Sequence, residues 1–461
     1  MPKRNNKFDF DLIVIGSGSG GGVAANIAAR KGKKVAIFEK EHVVGGECPN
    51  WACVPTKALL HAAHAYQTAK HGDRYGVKSS NLGYDYRKVR QWKDLVVRRT
   101  GTHNGDEAFA ENGVKVFHAN AHFINPHEIS AGGNRYRAQK FVIASGTHDF
   151  IPPVNGLKET GYITFRKAID LNRPPSSIFI IGGGAIGVEF AQLFWSFGSK
   201  VHLIEAGPRL LGREEPEAAD LVKAIFEARG ADIITSGSIV SIKKHGLKKT
   251  VTYIEDGKEH TATVEEILVA SGKRPNVDIG LENAGVEYDE KRGIKVNSFM
   301  QTSAKHIFAA GDVVGPYQFT HTASYQSRIA ANNLYSRRKN MIAANYSAIT
   351  RCIFVEPEVA SVGISEQEVK DRGIKPKIGI TPISIVGRSN TSNSSTGFVK
   401  IIADQKCRIL GAAIVAPRAG EMIHELALAV HKKLTAQDIA SMVHAFPTWS
   451  EAIRIAATQI K

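Results

Sequence analysis

An α/β fold is predicted for this chain by three observations: a strand, glycine turn, helix, strand unit that occurs twice, a shorter duplication downstream of each unit, and a C-terminal stretch of alternating strand-like runs with two helices. The first unit is DLIVIGSGSGGGVAANIAARKGKKVAIFEK from Asp11, and the second is SIFIIGGGAIGVEFAQLFWSFGSKVHLIEA from Ser177. Gly16, Gly18 and Gly21 make the first GxGxxG, and Gly182, Gly184 and Gly187 the second. Each is followed 23 residues after its first glycine by an acid, Glu39 and Glu205. The first glycine permits the tight turn, the second lets backbone approach a pyrophosphate, and the third lets the helix pack on the strand. The helix N-terminus then holds phosphates. The acid closing the second strand accepts hydrogen bonds from ribose hydroxyls and repels a 2′-phosphate. A lone glycine motif also serves plain packing, but two complete units with matched spacing predict two Rossmann-like dinucleotide-binding domains.

KFVIASGT and EEILVASGKRPN both run from an apolar strand into Ala-Ser-Gly, closing on Gly146 and Gly272. Pro152-Pro153 and Pro174-Pro175 punctuate the edges of the second unit. The predicted order is a first dinucleotide domain over 1–151, an inserted second one over 152–273, a return to the first over 274–345, and a C-terminal α+β domain over 346–461. GRSNTSNSSTG, from Gly387 to Gly397, is expected to be a mobile or long hairpin loop.

With 461 residues, 43% of them hydrophobic and 23% charged, the chain can bury several cores, in roughly three domains. No apolar stretch approaches the roughly 20 residues that span a bilayer. The N-terminus carries Lys3, Arg4 and Lys7, but the strand-like DLIVIG begins at position 11 and leaves no room for an apolar signal core. A cytoplasmic protein without a membrane partner is expected. The net charge of +16 comes from Lys and Arg scattered along the chain without a long cationic block. It reads as a solvated basic surface that attracts anionic cofactors, rather than as a nucleic-acid face. Four cysteines (Cys48, Cys53, Cys352, Cys407) are too few for a disulfide framework, and two close in sequence point to catalysis or metal.

That close pair lies in GGECPNWACVPTKALLHAAHAY, with Cys48 and Cys53 five residues apart. Zinc would require further thiolate or imidazole ligands. His61 and His64 are the candidates, but no second thiolate pair is in reach by sequence, and no metal is expected. Residues five apart on a regular helix sit about 140° apart around the axis and about 7.5 Å along it. A disulfide needs closer approach, so the helix must begin irregularly, and Pro49 with Gly45-Gly46 permit that. Cys53 beside the helix N-terminus gains thiolate character from the unpaired N–H groups. A thiolate is a suitable neighbour and electron donor for a flavin ring.

The motif resembles the GGxCxNxGCxPxK signature of the FAD-linked pyridine nucleotide-disulfide oxidoreductases, whose members include dihydrolipoamide dehydrogenase, glutathione reductase and mercuric reductase. The resemblance spans nearly the whole chain, through both glycine units, ASGKRPN, HIFAAGDVVG and the C-terminal FPTWSE. It implies a homodimer, dihydrolipoamide dehydrogenase-like, that passes electrons from NADH through FAD to a Cys48-Cys53 disulfide and on to an acceptor. Residues 1–151 and 274–345 would be the FAD-binding domain, 152–273 the NAD(P)-binding domain and 346–461 the dimerisation domain. Carried over, it implies that Cys53 is the charge-transfer thiol facing the flavin and Cys48 the interchange thiol. Lys57 would lie near flavin N5, paired with Glu189. Glu39 would bind the adenosine ribose, and Asp312 in AAGD the ribityl chain. Lys40, Gly46 and Gly146 would complete the FAD set, and Gly272 would join the nicotinamide-cofactor set of Gly182, Gly184, Gly187 and Glu205. Gly187 with Glu205 looks like the NAD pattern, while Arg209 keeps NADP(H) open.

The chain also departs from the pattern. Where the family carries HPTxxE, with a histidine as acid-base partner of the interchange thiol, this sequence has Phe446-Pro447-Thr448-Trp449-Ser450-Glu451. The acid, Glu451, is kept and the imidazole is a phenyl ring. His444 lies two residues earlier, at a position that is not the family's catalytic one. General acid-base help is worth about 10² to 10⁴ in rate, so the acceptor is open between a small or protein-bound disulfide and a non-thiol oxidant such as a quinone or metal ion. Mercuric reductases similarly lack the histidine and resemble the segment FTHTASYQSRIA, but their C-terminal cysteine pair is missing here. Trp51 and Phe446 are expected to line an aromatic substrate mouth. Cys352, in the strand-like ITRCIFV, and Cys407, in the turn-like ADQKCRIL, are expected to be structural.

Overall fold

The computed structural model describes residues 8–100 and 105–461, so Lys3, Arg4 and Lys7 lie outside the described residues. The chain divides into two units, one of Met1–Leu59, Arg87–Phe150 and Gly272–Asn345, the other of Leu60–Tyr86, Ile151–Ser271 and Tyr346–Lys461.

In the first unit a parallel sheet runs in the order Val114–His118, Val35–Glu39, Phe10–Ile15, Asn134–Ile143, Ile307–Ala309. Its central strands, FDLIVI and VAIFE, read as almost continuous apolar runs because the sheet is covered on both faces. Asn134–Ile143 continues in antiparallel fashion into Glu128–Ala131 and then Ala121–Asn125. The helices Gly21–Arg30 and Thr320–Asn333 pack together. The second of them buries a polar stripe of Thr322, Gln326, Ser327 and Asn333, all 0% exposed. Burying such groups is costly unless they are bonded, and all of these but the Thr322 hydroxyl are. Gln326 Oε1 accepts from the Gly311 N–H at 2.8 Å, and the Ser327 hydroxyl donates to the Gly20 carbonyl in the first glycine turn. This helix therefore pins the turn. Of the chain's two excursions from this unit, the longer, Ile151–Ser271, leaves and re-enters through two short antiparallel strands, Thr147–Asp149 and Lys273–Pro275.

The second unit holds a parallel sheet in the order Asp232–Thr235, Lys200–Glu205, Ser177–Ile181, Glu266–Val269, with an antiparallel three-stranded sheet of Ser238–His245, Lys248–Glu255 and Lys258–Val264. Its C-terminal part is α+β: an antiparallel sheet ordered Thr350–Ile353, Glu358–Gly363, Ile409–Ala416, Phe398–Ala403, Lys377–Pro382. Ala419–Lys432 and Glu451–Thr458 pack against this sheet. These are the two long helices of the region, but three shorter ones, Glu366–Asp371, Gly387–Ser392 and Ala436–Ser441, correct the expected count. Two of them start at capping boxes, Ser365 with Glu368 and Thr435 with Asp438, which are strong local signals in segments too short to show periodicity. The Gly387 to Gly397 stretch is likewise part helix rather than loop. Gly387–Ser392 ends on Asn393 in the left-handed region, and the Ser389 hydroxyl donates to the Ser394 carbonyl at 2.9 Å.

One buried charge organises the second unit. Lys400, in FVKIIA, is 2% exposed, and its Nζ lies 2.7 Å from carboxylate oxygens of Glu215, Glu217 and Glu366. These three acids are grouped closely enough to hold a cation, and the ammonium takes that place. Removing one partner of a buried ion cluster leaves uncompensated charge. Lys400→Met is therefore expected to destabilise the fold by about 3 kcal/mol, read as a lower melting temperature, with part of the loss recovered in Lys400→Met/Glu215→Gln. Among the described residues no helix is long and apolar enough to cross a membrane.

Candidate active site

The two glycine turns match bond for bond. In the first, the Gly16 N–H donates to Phe38 O at 2.8 Å; in the second, the Gly182 N–H donates to Ile204 O at 2.8 Å. A Cβ at Gly16 (φ +93°) would meet Ala144 O at 2.3 Å, and one at Gly182 (φ +112°) would meet Ala270 O at 2.4 Å. A Cβ at the third glycine would strike the first glycine's carbonyl, at 1.8 Å for Gly21 and 1.9 Å for Gly187. The third glycine thus lets the helix close onto the turn itself as well as onto the strand. The paired acids also match. Glu39 takes the Ser17 N–H at 2.9 Å and the Glu41 N–H at 3.0 Å, while Glu205 takes the Gly183 N–H and the Gly207 N–H at 2.7 Å each. Each carboxylate oxygen carries two lone pairs, so both acids keep acceptor capacity for ribose hydroxyls. Arg209 ion-pairs at 3.2 Å with Asp220, and Lys40 is exposed.

The second glycine distinguishes the two units. Around Gly184 a Cβ would find nothing within 4 Å, an open approach for a phosphate. Gly18 instead lies under Gly46, whose own Cβ (φ +73°) would come within 2.7 Å of Gly18 Cα. The Gly45 N–H donates to Ser17 Oγ at 3.0 Å, and that hydroxyl donates to Glu39 at 2.6 Å. The cysteine loop is thereby bonded to the first turn, and the second glycine of that turn faces backbone rather than open space. Gly146 (φ +66°) and Gly272 (φ +110°) close the Ala-Ser-Gly turns with open space where a Cβ would sit.

The cysteine helix begins irregularly, as disulfide geometry demands. Cys48 sits in the one-turn helix Glu47–Asn50, Trp51 breaks it at φ −136°, ψ −15°, and Cys53 opens the helix Cys53–Lys70. The Asn50 amide draws the loop shut by donating to Val44 O at 3.0 Å and Gly46 O at 2.9 Å. The two thiols are hydrogen-bonded to each other. The Cys48 thiol is pushed up by that bond and by burial, while Thr320 and Lys57 pull it down. The bond between them couples the two thiols, and Lys57 and Thr320 are the groups that favour the charged form of Cys48. Thr320 Oγ1 lies 3.4 Å from Cys53 Sγ, a contact absent from the sequence reading. Its only signal was a hydroxyl residue at the start of the helical THTASYQSRIA.

Asp312, just past the strand Ile307–Ala309, has its carboxyl pushed up to about 6, first by burial and then by Glu47 and Cys53, with Lys273 opposing. Glu189 belongs to the other unit, on Ala185–Ser196; it is 4% exposed and accepts from the Phe354 N–H at 3.1 Å. Glu451 opens Glu451–Thr458 and accepts from the Thr448 N–H at 3.3 Å. Phe446 is 77% exposed, whereas the His444 ring is bound at both nitrogens, Nε2 to Glu425 at 2.9 Å and Nδ1 to Met442 O at 3.1 Å. Of the remaining cysteines, Cys352 lies in a strand and Cys407 in a turn with Lys377 Nζ at 3.4 Å.

A family model described as pyridine nucleotide-disulphide oxidoreductase matches residues 10–327, and one described as the dimerisation domain of the same family matches 349–457. The dihydrolipoyl dehydrogenase of Geobacillus stearothermophilus is 35% identical over 454 residues, 97% of this chain and 95% of that one. A mercuric reductase of Staphylococcus aureus is 32% identical over 456 residues, covering 98% of this chain and 83% of that one. Among solved structures, the HOCl-induced flavoprotein disulfide reductase RclA from Escherichia coli is similar at a TM-score of 0.86 and 28% identity, covering 98% of this chain and 100% of that one. A Cu(II) complex of RclA is similar at the same TM-score and identity, with 98% and 99% coverage.

Proposed function

The chain belongs to the pyridine nucleotide-disulphide oxidoreductases, enzymes that use FAD and NAD(P)H, and from that premise we propose that it carries electrons from NADH to the Cys48-Cys53 disulfide and on to an acceptor that takes them from sulfur without a histidine's proton. FAD, when bound, supplies the two-electron relay between nicotinamide and disulfide. Gly16, Gly18, Gly21, Glu39, Lys40, Gly46, Gly146 and Asp312 would hold it, with Lys57 beside the thiols. Gly182, Gly184, Gly187 and Glu205 would hold NADH. The Glu205 carboxylate disfavours a 2′-phosphate, and Arg209 is engaged by Asp220. The balance is NADH + H⁺ + disulfide → NAD⁺ + two thiols. Cys53, at the helix N-terminus and against Thr320, would keep the thiolate while Cys48 meets the acceptor. The chain would work as a homodimer in the cytoplasm.

The observation that carries the acceptor class is the ring at position 446. Where a proton donor would be expected, the chain presents an exposed phenyl group, Glu451 bonds to backbone, and His444 is bound at both ring nitrogens. A thiophilic metal ion is an acceptor that needs no such proton: two Cu(II) ions take one electron each, the disulfide re-forms and two protons leave to solvent. The names mercuric reductase and Cu(II) complex among its relatives support this class. The identity to dihydrolipoyl dehydrogenase favours a second reading, a dithiol or disulfide partner. A panel of Cu(II), a quinone and lipoamide separates them. Phe446→His is expected to raise lipoamide turnover at least about tenfold and to leave the Cu(II) rate nearly unchanged. Efficient lipoamide turnover in the parent protein, with no gain in Phe446→His, would overturn the metal reading.

A further inference from the structure

We propose that Lys273 is a positioning residue for the redox pair, holding the turn that carries Cys48 against the two strands through which the chain leaves and re-enters its first unit. Lys273 Nζ lies 3.0 Å from Glu47 Oε2 and 2.8 Å from Asp149 Oδ1. The side chains are largely withdrawn from water, at 12% exposure for Lys273, 27% for Glu47 and 21% for Asp149. Lys273 and Asp149 are cross-strand partners in the antiparallel pair of Thr147–Asp149 with Lys273–Pro275. Glu47 is the first residue of the four-residue helix that holds Cys48. One ammonium therefore joins the crossover strands to the residue next to the interchange thiol, and a displacement of either strand passes to that turn.

This link is separate from the other restraints on the loop. Asn50 closes the loop on itself through Val44 and Gly46, and Gly45 anchors its start to Ser17. Lys273 restrains the face that leads into Cys48, from a strand 226 residues later in the chain. A six-residue thiol pair on an interrupted helix forms its disulfide in proportion to the time its sulfurs spend together. A looser turn lowers that effective concentration, disfavours the disulfide and moves the couple to a more positive potential.

The inference rests on Cys48-Cys53 being the redox couple, and its test is the midpoint potential of that couple in the FAD-loaded enzyme, equilibrated with a dithiol redox buffer. Lys273→Met and Glu47→Gln are each expected to weaken the disulfide about tenfold, about 30 mV toward positive. The double variant should go no further, because both changes cut the same link. Lys273→Arg, which can still bridge both acids, should stay near the parent value. A purely electrostatic role would move Lys273→Met and Glu47→Gln in opposite directions, since they remove opposite charges. Opposite shifts, unchanged potentials or additive shifts overturn the proposal. If Lys273→Met fails to fold, Lys273→Gln takes its place, because Glu47→Gln alone moves the potential toward positive on either account, and a shift toward negative in Lys273→Gln overturns the proposal. A parent protein with no titratable Cys48-Cys53 couple would instead defeat the functional reading beneath it.

Discussion

Cys53→Ser is expected to lower NADH-driven turnover by about 10³-fold or more, with FAD still bound and without a long-wavelength charge-transfer band on anaerobic reduction. Cys48→Ser should lose turnover equally, yet show that band without any reductant. The asymmetry follows from where the two sulfurs sit. Cys53 opens the helix Cys53–Lys70, whose positive dipole end favours a thiolate, and Thr320 Oγ1 lies 3.4 Å away. Cys48 lies on the preceding turn, and its ionisation is opposed by its bond to Cys53 and by burial, which outweigh the pull of Thr320 and Lys57. With Cys48 removed, Cys53 has no disulfide partner and is expected to remain beside the flavin as the charge-transfer sulfur; with Cys53 removed, that sulfur is gone. Equal spectra in the two variants would contradict the assignment. Absorbance spectra of the anaerobic proteins and steady-state rates check both halves.

Alanine at the first glycine of each turn should separate the two cofactors. Gly16→Ala places a side chain at φ +93° with its Cβ 2.3 Å from Ala144 O, and Gly182→Ala does the same at φ +112° and 2.4 Å from Ala270 O. A left-handed backbone costs about 1 to 2 kcal/mol for a residue with a Cβ, and the clash with backbone adds to it. Gly16→Ala is expected to purify largely without FAD, because the turn, the Ser17–Glu39 bond and the cysteine loop bonded to Ser17 move together. Gly182→Ala should keep its flavin spectrum while KM for NADH rises about 10- to 100-fold, which corresponds to about 1.4 to 2.8 kcal/mol. The ratio of flavin to protein absorbance and the NADH saturation curve are the measurements.

The glycine turns were legible in the sequence because their requirements are local: a positive φ, a carbonyl where a Cβ would stand, and an acid at a set distance. The irregular start of the cysteine helix was legible for a similar reason, since two residues five apart cannot form a disulfide on a regular helix. What escaped depends on residues far apart in the chain. Thr320 meets Cys53 across 267 residues, and nothing in THTASYQ distinguishes it from a helix-starting threonine. Lys400 breaks the apolar run of FVKIIA, and only the fold supplies the three carboxylates that permit its burial. His444 was legible only as a histidine two residues from the family's catalytic position, and the fold alone supplies Glu425, 19 residues upstream, as the partner of its ring. Phe446 was legible as a departure because the replacement of an imidazole by a phenyl ring needs no fold to be seen.

The most direct test is an anaerobic titration of the FAD-loaded protein with NADH, following thiol content together with the visible spectrum. The account predicts that the first equivalent of NADH releases two new thiols per chain, assigned to Cys48 and Cys53 by alkylation and mass spectrometry, as a long-wavelength band grows in. Bleaching of the flavin by that equivalent, with no new thiol at either cysteine, would contradict it.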